Sequence, residues 1–295
     1  MTDLPSLAHK IASLTSTLHT PTPSSIRVQL SQTLERLLLI SNWDIAPGST
    51  VLEVGCGQGD CTAALAEIVG PEGHVDALDP APLDYGAPFT LFQAQSHLSA
   101  SDLGPRITWI NKETPTHLSS LPPTSQYTHS ILAHSLWYFS SPSSLSTTLQ
   151  LLATHSGRIC LAEWSLSSAN PDAQPHILAA LTQASLECRK STSESNVRTV
   201  LSPKAIKDLA GDAGLKLISE GFVTPDEGVH DGRWEVQATL SERFAKEVEE
   251  FIEDEREKGV VFALRDALEL SVKRIERGVK GVRSMDVWWG VFEKV

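Results

Sequence analysis

Short apolar runs alternate along this chain with longer stretches in which apolar residues return every three or four positions. The short runs are TVLEVG (50–55), HVDALD (74–79), RITWI (106–110), HSILAH (129–134) and RICLAEW (158–164). They are rich in Val, Ile and Leu, as strands covered on both faces must be. The stretches between them read as helices. Cys61, Ala64, Leu65 and Ile68 form one stripe over 59–69. Leu91, Ala94 and Leu98 form another over 89–101. Leu145, Leu149 and Leu152 form a third over 142–154, with Pro142 at the first helical position. Before the first strand, Leu30, Leu34, Leu37, Leu38 and Trp43 keep helical spacing until Pro47-Gly48. Ser202-Pro203 opens one more helix, which Gly211 or Gly214 closes. Repeated strand–helix units predict a mostly parallel sheet with helices on both faces, an α/β fold.

Two connections are too long to be ordinary loops. Residues 165–201 follow the fifth strand. Residues 226–284 lie between LKLISEGF (215–222) and a final strand, DVWWGVFEKV (286–295). The second stretch is helical by pattern. Phe244, Val248, Phe251 and Ile252 make one stripe, and Val261, Leu264, Leu268, Val272, Ile275 and Val279 make another. The charges of KEVEEFIEDEREK fill the opposite, solvated face. Residues 1–24, rich in Ser, Thr and Pro, are expected to be a flexible lead-in, so the domain proper is 25–295.

Composition narrows the class without naming the chemistry. The chain has 295 residues, a formal charge of −12 and 41% hydrophobic residues. An acidic chain lacks the basic face of a nucleic-acid binder. No apolar run approaches the roughly 18 residues of a membrane span, and the N-terminus does not read as a signal peptide. The four cysteines (Cys56, Cys61, Cys160, Cys188) form no C-x-x-C pair, so free thiols in a reducing cytoplasm are expected.

The chemistry is concentrated in VLEVGCGQGD, Val51 to Asp60. A glycine turn between a strand and a helix brings backbone N–H groups close to a ligand. The dinucleotide fingerprint would need its third glycine at position 60, where Asp60 stands; here Gly55, Gly57 and Gly59 alternate. Glu53 would also repel a pyrophosphate. A nucleoside without phosphate and with a cationic end suits the pattern better, and S-adenosylmethionine is such a ligand. Asp79, ending the second strand, can accept both ribose hydroxyls, although it also suits a turn before Pro80.

On these residues the chain resembles the class I S-adenosylmethionine-dependent methyltransferases. LEVGCGQGDCTAALAEIVGPEGHVDALDP and AHSLWYF look most like fungal members acting on small metabolites. The resemblance implies a Rossmann-like seven-stranded sheet whose last strand runs antiparallel, with Trp288 and Trp289 packed on its two sides. It implies cofactor contacts from Glu53, Gly55, Cys56, Gly57, Gly59, Asp79, Pro80, His134 and Ser135. The turn after the third strand adds Glu113 and Thr114 as adenine contacts.

Methyl transfer asks the protein to hold a nucleophile in line at about 3 Å and to exclude water. A base is needed only for an acceptor that arrives protonated. Ligands of open α/β sheets lie beyond the carboxyl ends of the strands. His134 stands there and is the candidate base, with a cofactor-binding role as the competing reading. Trp137, Tyr138, Glu163 and Trp164 share that rim as candidate substrate contacts. His129 and His134 are five apart on one strand and face opposite ways, so they do not chelate, and no metal site is expected. His230, Arg233 and Trp234 read as a surface cluster. Both long inserts leave from the same rim, so they form either a helical lid or an oligomer surface, the latter implying a homodimer. The reading that follows is methyl transfer to O or N of a small molecule. A cofactor-binding protein that does not methylate, pericyclase-like or regulatory, and a protein methyltransferase are the alternatives.

Overall fold

The computed structural model describes residues 3–15, 22–122, 126–191, 193 and 195–295. Seven strands form one sheet in the order β3-β2-β1-β4-β5-β7-β6. They are β1 (Thr50–Val54), β2 (His74–Leu78), β3 (Ile107–Ile110), β4 (Tyr127–Ala133), β5 (Ser156–Trp164), β6 (Leu215–Val223) and β7 (Val287–Lys294). The first five are joined by parallel pairs, and β7 runs antiparallel between β5 and β6. Each expected strand is present to within two residues at its ends. Trp288 is fully buried, and Trp289 packs against Gly221 of β6.

The lead-in is corrected in part. Leu4–Thr15 is a helix, α1, whose Ala8, Ile11 and Ala12 are buried, while residues 16–21 lie outside the described residues. Leu4, Leu7, Ile11 and Leu14 repeat at helical spacing, and burial of that stripe in the main core outweighs the poor helix propensity of the surrounding Ser and Thr. The helix α2 (Pro23–Ile40) follows. Its N-cap is a reciprocal pair: Thr22 Oγ1 accepts from Ser25 N at 3.1 Å, and Ser25 Oγ accepts from Thr22 N at 2.9 Å. Between the central strands run α3 (Asp60–Val69), α4 (Leu91–Ser99), α5 (Thr114–Ser119) and α6 (Pro142–His155).

The first insert carries α7 (Gln174–Glu187). It returns to the sheet through α8 (Pro203–Asp212), which Ser202 caps as its spacing suggests. The second insert is three helices: α9 (Asp231–Leu240), α10 (Glu242–Phe251) and α11 (Glu255–Lys273). These helices make small cores of their own. Ala179 of α7 packs with Val236, Leu268, Val272 and Val282, and Leu186 packs with Phe244, Val248, Ile252 and Val261. The two inserts therefore form one helical layer. Among the described residues no helix is long and apolar enough to cross a membrane.

Candidate functional site

The glycine turn has the backbone its sequence demands. Gly55, Gly57 and Gly59 have φ of 80°, 52° and 98°, a region that L side chains rarely adopt. Two of them are also packed. A Cβ on Gly55 would fall 2.4 Å from Ser135 Cβ, and one on Gly59 would fall 2.7 Å from both Leu98 and Trp109. Gly57 has open space on that side. Ser135 closes the turn from β4 by donating from Oγ to Val54 O at 2.8 Å. The turn begins with Gly55 N and Cys56 N both donating to Leu78 O, which fixes it to β2.

Asp79 stands at the mouth of this turn. One carboxylate oxygen accepts from Gly57 N at 2.8 Å and the other from Ala81 N at 2.9 Å. Each oxygen keeps a second lone pair for a ligand. A cavity of about 390 Å³ opens beside it, lined by Asp79, Leu83, Phe92, Trp109 and Asn111 among others. Asn111 donates to Asp79 O and Ala81 O and so shapes that mouth. Glu113 is exposed at the N-cap of α5 and does not line this cavity, and Thr114 is buried. Pro80 is exposed, whereas Cys56 is buried.

Glu53 is buried, and its Oε2 accepts from Thr62 Oγ1 at 2.5 Å. Burial pushes its carboxyl up to about 7, against the opposing pull of Thr62 and Cys61. It therefore sits inside the turn, behind the glycines. Gln29 of α2 reaches Asp60 at 3.0 Å and so lays α2 over the start of α3.

The second half of the site lies past β4 and β5. His134 has φ 54°, a conformation that costs a non-glycine residue about 1–3 kcal/mol and gathers at functional sites. Its N–H donates to Ala162 O at 2.9 Å. Its ring lies between two carboxylates: Nε2 is 2.9 Å from Glu35 Oε1, and Nδ1 is 3.8 Å from Glu163 Oε1. Trp164 packs on the ring at 4.5 Å between centroids, and His176 of α7 packs on Trp164 at 4.9 Å. Glu163 Oε2 accepts from Leu136 N and Trp137 N, and Oε1 accepts from Trp164 N. Burial raises the Glu163 carboxyl despite these bonds and despite His134.

His134, Glu163 and Trp164 are thus brought together, and Tyr138, 43% exposed, stands within the electrostatic reach of Glu163. Trp137 is not available in the same way: 3% of its surface is exposed, its indole donates to Leu201 O, and its carbonyl holds the 198–199 backbone. His129 is buried one strand-length away, with Nδ1 3.1 Å from Thr128 Oγ1. Among the described residues no group of three or more His, Cys, Asp or Glu is placed to hold a metal ion. His230 and Arg233 bond each other, and Trp234 is largely exposed.

Three site residues escape a reading of the sequence alone. Glu35 and Arg36 come from α2 and form an ion pair there. Burial works to raise the Glu35 carboxyl, but Arg36 and His134 outweigh it and hold it below the usual range. Asp231, at the start of α9, lies in the field of Arg36 and His134, and burial raises its carboxyl. The available signal was the pair Glu35-Arg36 inside an otherwise leucine-rich helix.

Comparison with known proteins agrees with this geometry. The family description Protein-L-isoaspartate(D-aspartate) O-methyltransferase (PCMT) matches residues 13–82, which hold the glycine turn and Asp79 and none of the edge beyond β4. A methyltransferase of Diaporthe leptostromiformis, phomM', is 29% identical over 88% of this chain and 83% of its own. The crystal structure of a cyclopropane-fatty-acyl-phospholipid synthase-like protein from Lactobacillus casei is 30% identical. It covers 98% of this chain and 99% of its own, with a TM-score of 0.82. The cyclopropane synthase MmaA2 of Mycobacterium tuberculosis, at 12% identity and a TM-score of 0.53 over 100% of this chain and 95% of its own, shares the fold. This chain belongs to the class I S-adenosylmethionine-dependent methyltransferases. It is an enzyme, and its cofactor is S-adenosylmethionine.

Proposed function

We propose that the enzyme methylates an oxygen or nitrogen atom of a small-molecule acceptor held at the carboxyl ends of β4 and β5. The supporting observation is the His134 imidazole, fixed between Glu35 and Glu163 beside Trp164. Bound S-adenosylmethionine supplies a methyl group on a sulfonium, and in-line displacement by the acceptor leaves S-adenosylhomocysteine. In this reading Asp79 holds the ribose, and the glycine turn admits the cofactor main chain, with Glu53, Cys56, Pro80, Thr114 and Ser135 around it. His134 accepts the acceptor's proton, while Glu35 takes its Nε2–H and orients the ring. Glu163 and Trp164 bound the acceptor, with Tyr138 at its open side.

The inserts act as a lid in the same proposal. In support, His176 of α7 lies against Trp164, and a Cβ on Gly232 of α9 would meet the His176 ring at 3.1 Å. Transfer to carbon is the second reading, favoured by the cyclopropane-synthase-like description of the Lactobacillus casei protein. The test is to incubate the purified enzyme and methyl-labelled cofactor with low-mass metabolites and, separately, with proteins. Label in a low-mass product, assigned to an O–CH3 or N–CH3 bond by mass spectrometry and NMR, is expected. Label on carbon favours the second reading, and label on protein alone refutes the proposal.

A further inference from the structure

Asp231 and Glu235 stand one turn apart on α9 and so share a face. The start of α9 packs on the His134 site: a Cβ on Gly232 would meet the His176 ring at 3.1 Å, His176 packs on Trp164, and Trp164 packs on His134. Asp231 acts on His134, Arg36 and Glu35, and both Asp231 and Glu235 act, with Glu163, on the Tyr138 phenol. Burial raises the carboxyls of Asp231, Glu235 and Glu163 alike. The nearby cation does not balance them, because Arg36 is paired with Glu35. Glu235 has an amide donor, Gln183 Nε2 at 2.6 Å, but no cationic partner in an ion pair among the described residues.

An independent observation shows what is lacking. The His134 side chain is 9% exposed, and its Nδ1 is buried without a hydrogen-bond partner. A neutral ring that donates Nε2–H to Glu35 carries its lone pair on Nδ1. That lone pair faces Glu163 Oε1 at 3.8 Å. In that tautomer, with Glu163 ionised, two acceptors face each other with no donor between them, an arrangement that burial makes costly. A cationic N–H donor supplies both the missing hydrogen bond and the missing charge. The aromatic face of Trp164, which packs on the His134 ring, suits a cation as well.

We propose that the acceptor is a small molecule bearing a protonated amine, and that Asp231 and Glu235 hold its ammonium on the α9 side of the His134 site. This rests on the reading of that site as the acceptor side. An alkylamine is protonated at neutral pH, as lysine is with its pKa of about 10.4.

Two probes of the same size isolate the charge: phenethylamine and 2-phenylethanol. Each is titrated calorimetrically into the full chain saturated with S-adenosylhomocysteine. The amine should bind at least about tenfold more tightly, and the double variant Asp231→Asn, Glu235→Gln should lose that preference while binding the alcohol as before. Unchanged affinity of the variant for S-adenosylhomocysteine shows that it is folded; the single variant Glu235→Gln should give an intermediate preference. Equal binding of the two probes, binding of neither, or a preference that survives the double substitution overturns the proposal. So does a loss of S-adenosylhomocysteine affinity in the variant, which would assign these carboxylates to the cofactor's own ammonium. Methyl transfer to a neutral oxygen or nitrogen acceptor would overturn this proposal and leave the proposed function standing.

Discussion

Nε2 of His134 lies 2.9 Å from Oε1 of Glu35, a residue 99 positions earlier on a helix that precedes the glycine turn. The contact gives the imidazole an orienting carboxylate, the arrangement by which a histidine base is held in one tautomer. His134→Ala should lower turnover by about 10²–10⁴-fold while leaving cofactor affinity nearly unchanged. Glu35→Gln keeps a neutral partner for Nε2 but removes the orienting carboxylate. Its turnover should therefore fall, by less than in His134→Ala, while cofactor affinity stays nearly unchanged. If His134→Ala instead weakens cofactor binding and keeps turnover at saturation, His134 is a binding residue.

Asp79→Ala should weaken S-adenosylmethionine binding roughly ten- to a hundred-fold, as loss of hydrogen bonds to a charged group worth about 1.5–3 kcal/mol requires. The variant also strips Gly57 N and Ala81 N of their acceptor, so the turn itself loosens. Calorimetry reads the effect, and an unchanged dissociation constant would remove Asp79 from the ribose.

Glu53 predicts a pH dependence of stability in the cofactor-free protein. Its carboxyl is raised from 4.5 to about 7 by burial. The unfolded chain releases that proton near pH 4.5 and the folded chain only near 7, so the unfolded state binds fewer protons between them. Stability then falls with rising pH across this window, by about 3 kcal/mol in all. Glu53→Gln should flatten the slope and stabilise the free protein at pH 8 relative to pH 4. Denaturant unfolding across the window tests it, and an unaltered slope would count against it.

Gly55→Ala should destabilise the fold and abolish cofactor binding together. Its Cβ would overlap Ser135 at 2.4 Å in a backbone with φ 80°, where strain alone costs about 1–3 kcal/mol. Gly57→Ala meets no atom within 4 Å. It should cost only the φ strain, and the difference between the two melting curves separates clash from conformation.

The sheet was legible because buried parallel strands write themselves as Val, Ile and Leu runs, and each β-α unit repeats the pattern. The cofactor turn was legible for a similar reason: three alternate glycines and two acids state a backbone shape and a charge. Glu35 was hidden because α2 is enclosed on several sides. Its buried residues include Ser31, Thr33 and Glu35 beside Leu37 and Leu39, so the apolar stripe marks only part of what is inside. Asp231 was hidden between His230 and Arg233, which bond each other and read as a surface cluster, while burial acts on its own carboxyl. The buried helix at 4–15 was masked by Ser and Thr, which report local propensity and not the tertiary contact that decides the matter.

The position of β7 sets the order in which the sheet can be completed during synthesis. Among the described residues β6 pairs with β7 alone, and β7 begins 64 positions after β6 ends. At ribosomal speeds of about 5–20 residues per second, β6 waits roughly 3–13 s for its partner. During that interval Ile218 and Phe222, still 48% and 59% exposed in the finished fold, stand on a strand with no neighbour on either side. The helices of the second insert emerge in the meantime, so the nascent chain carries an unpaired apolar strand beside a helical layer already able to pack. That interval is where misassembly would compete most strongly with folding.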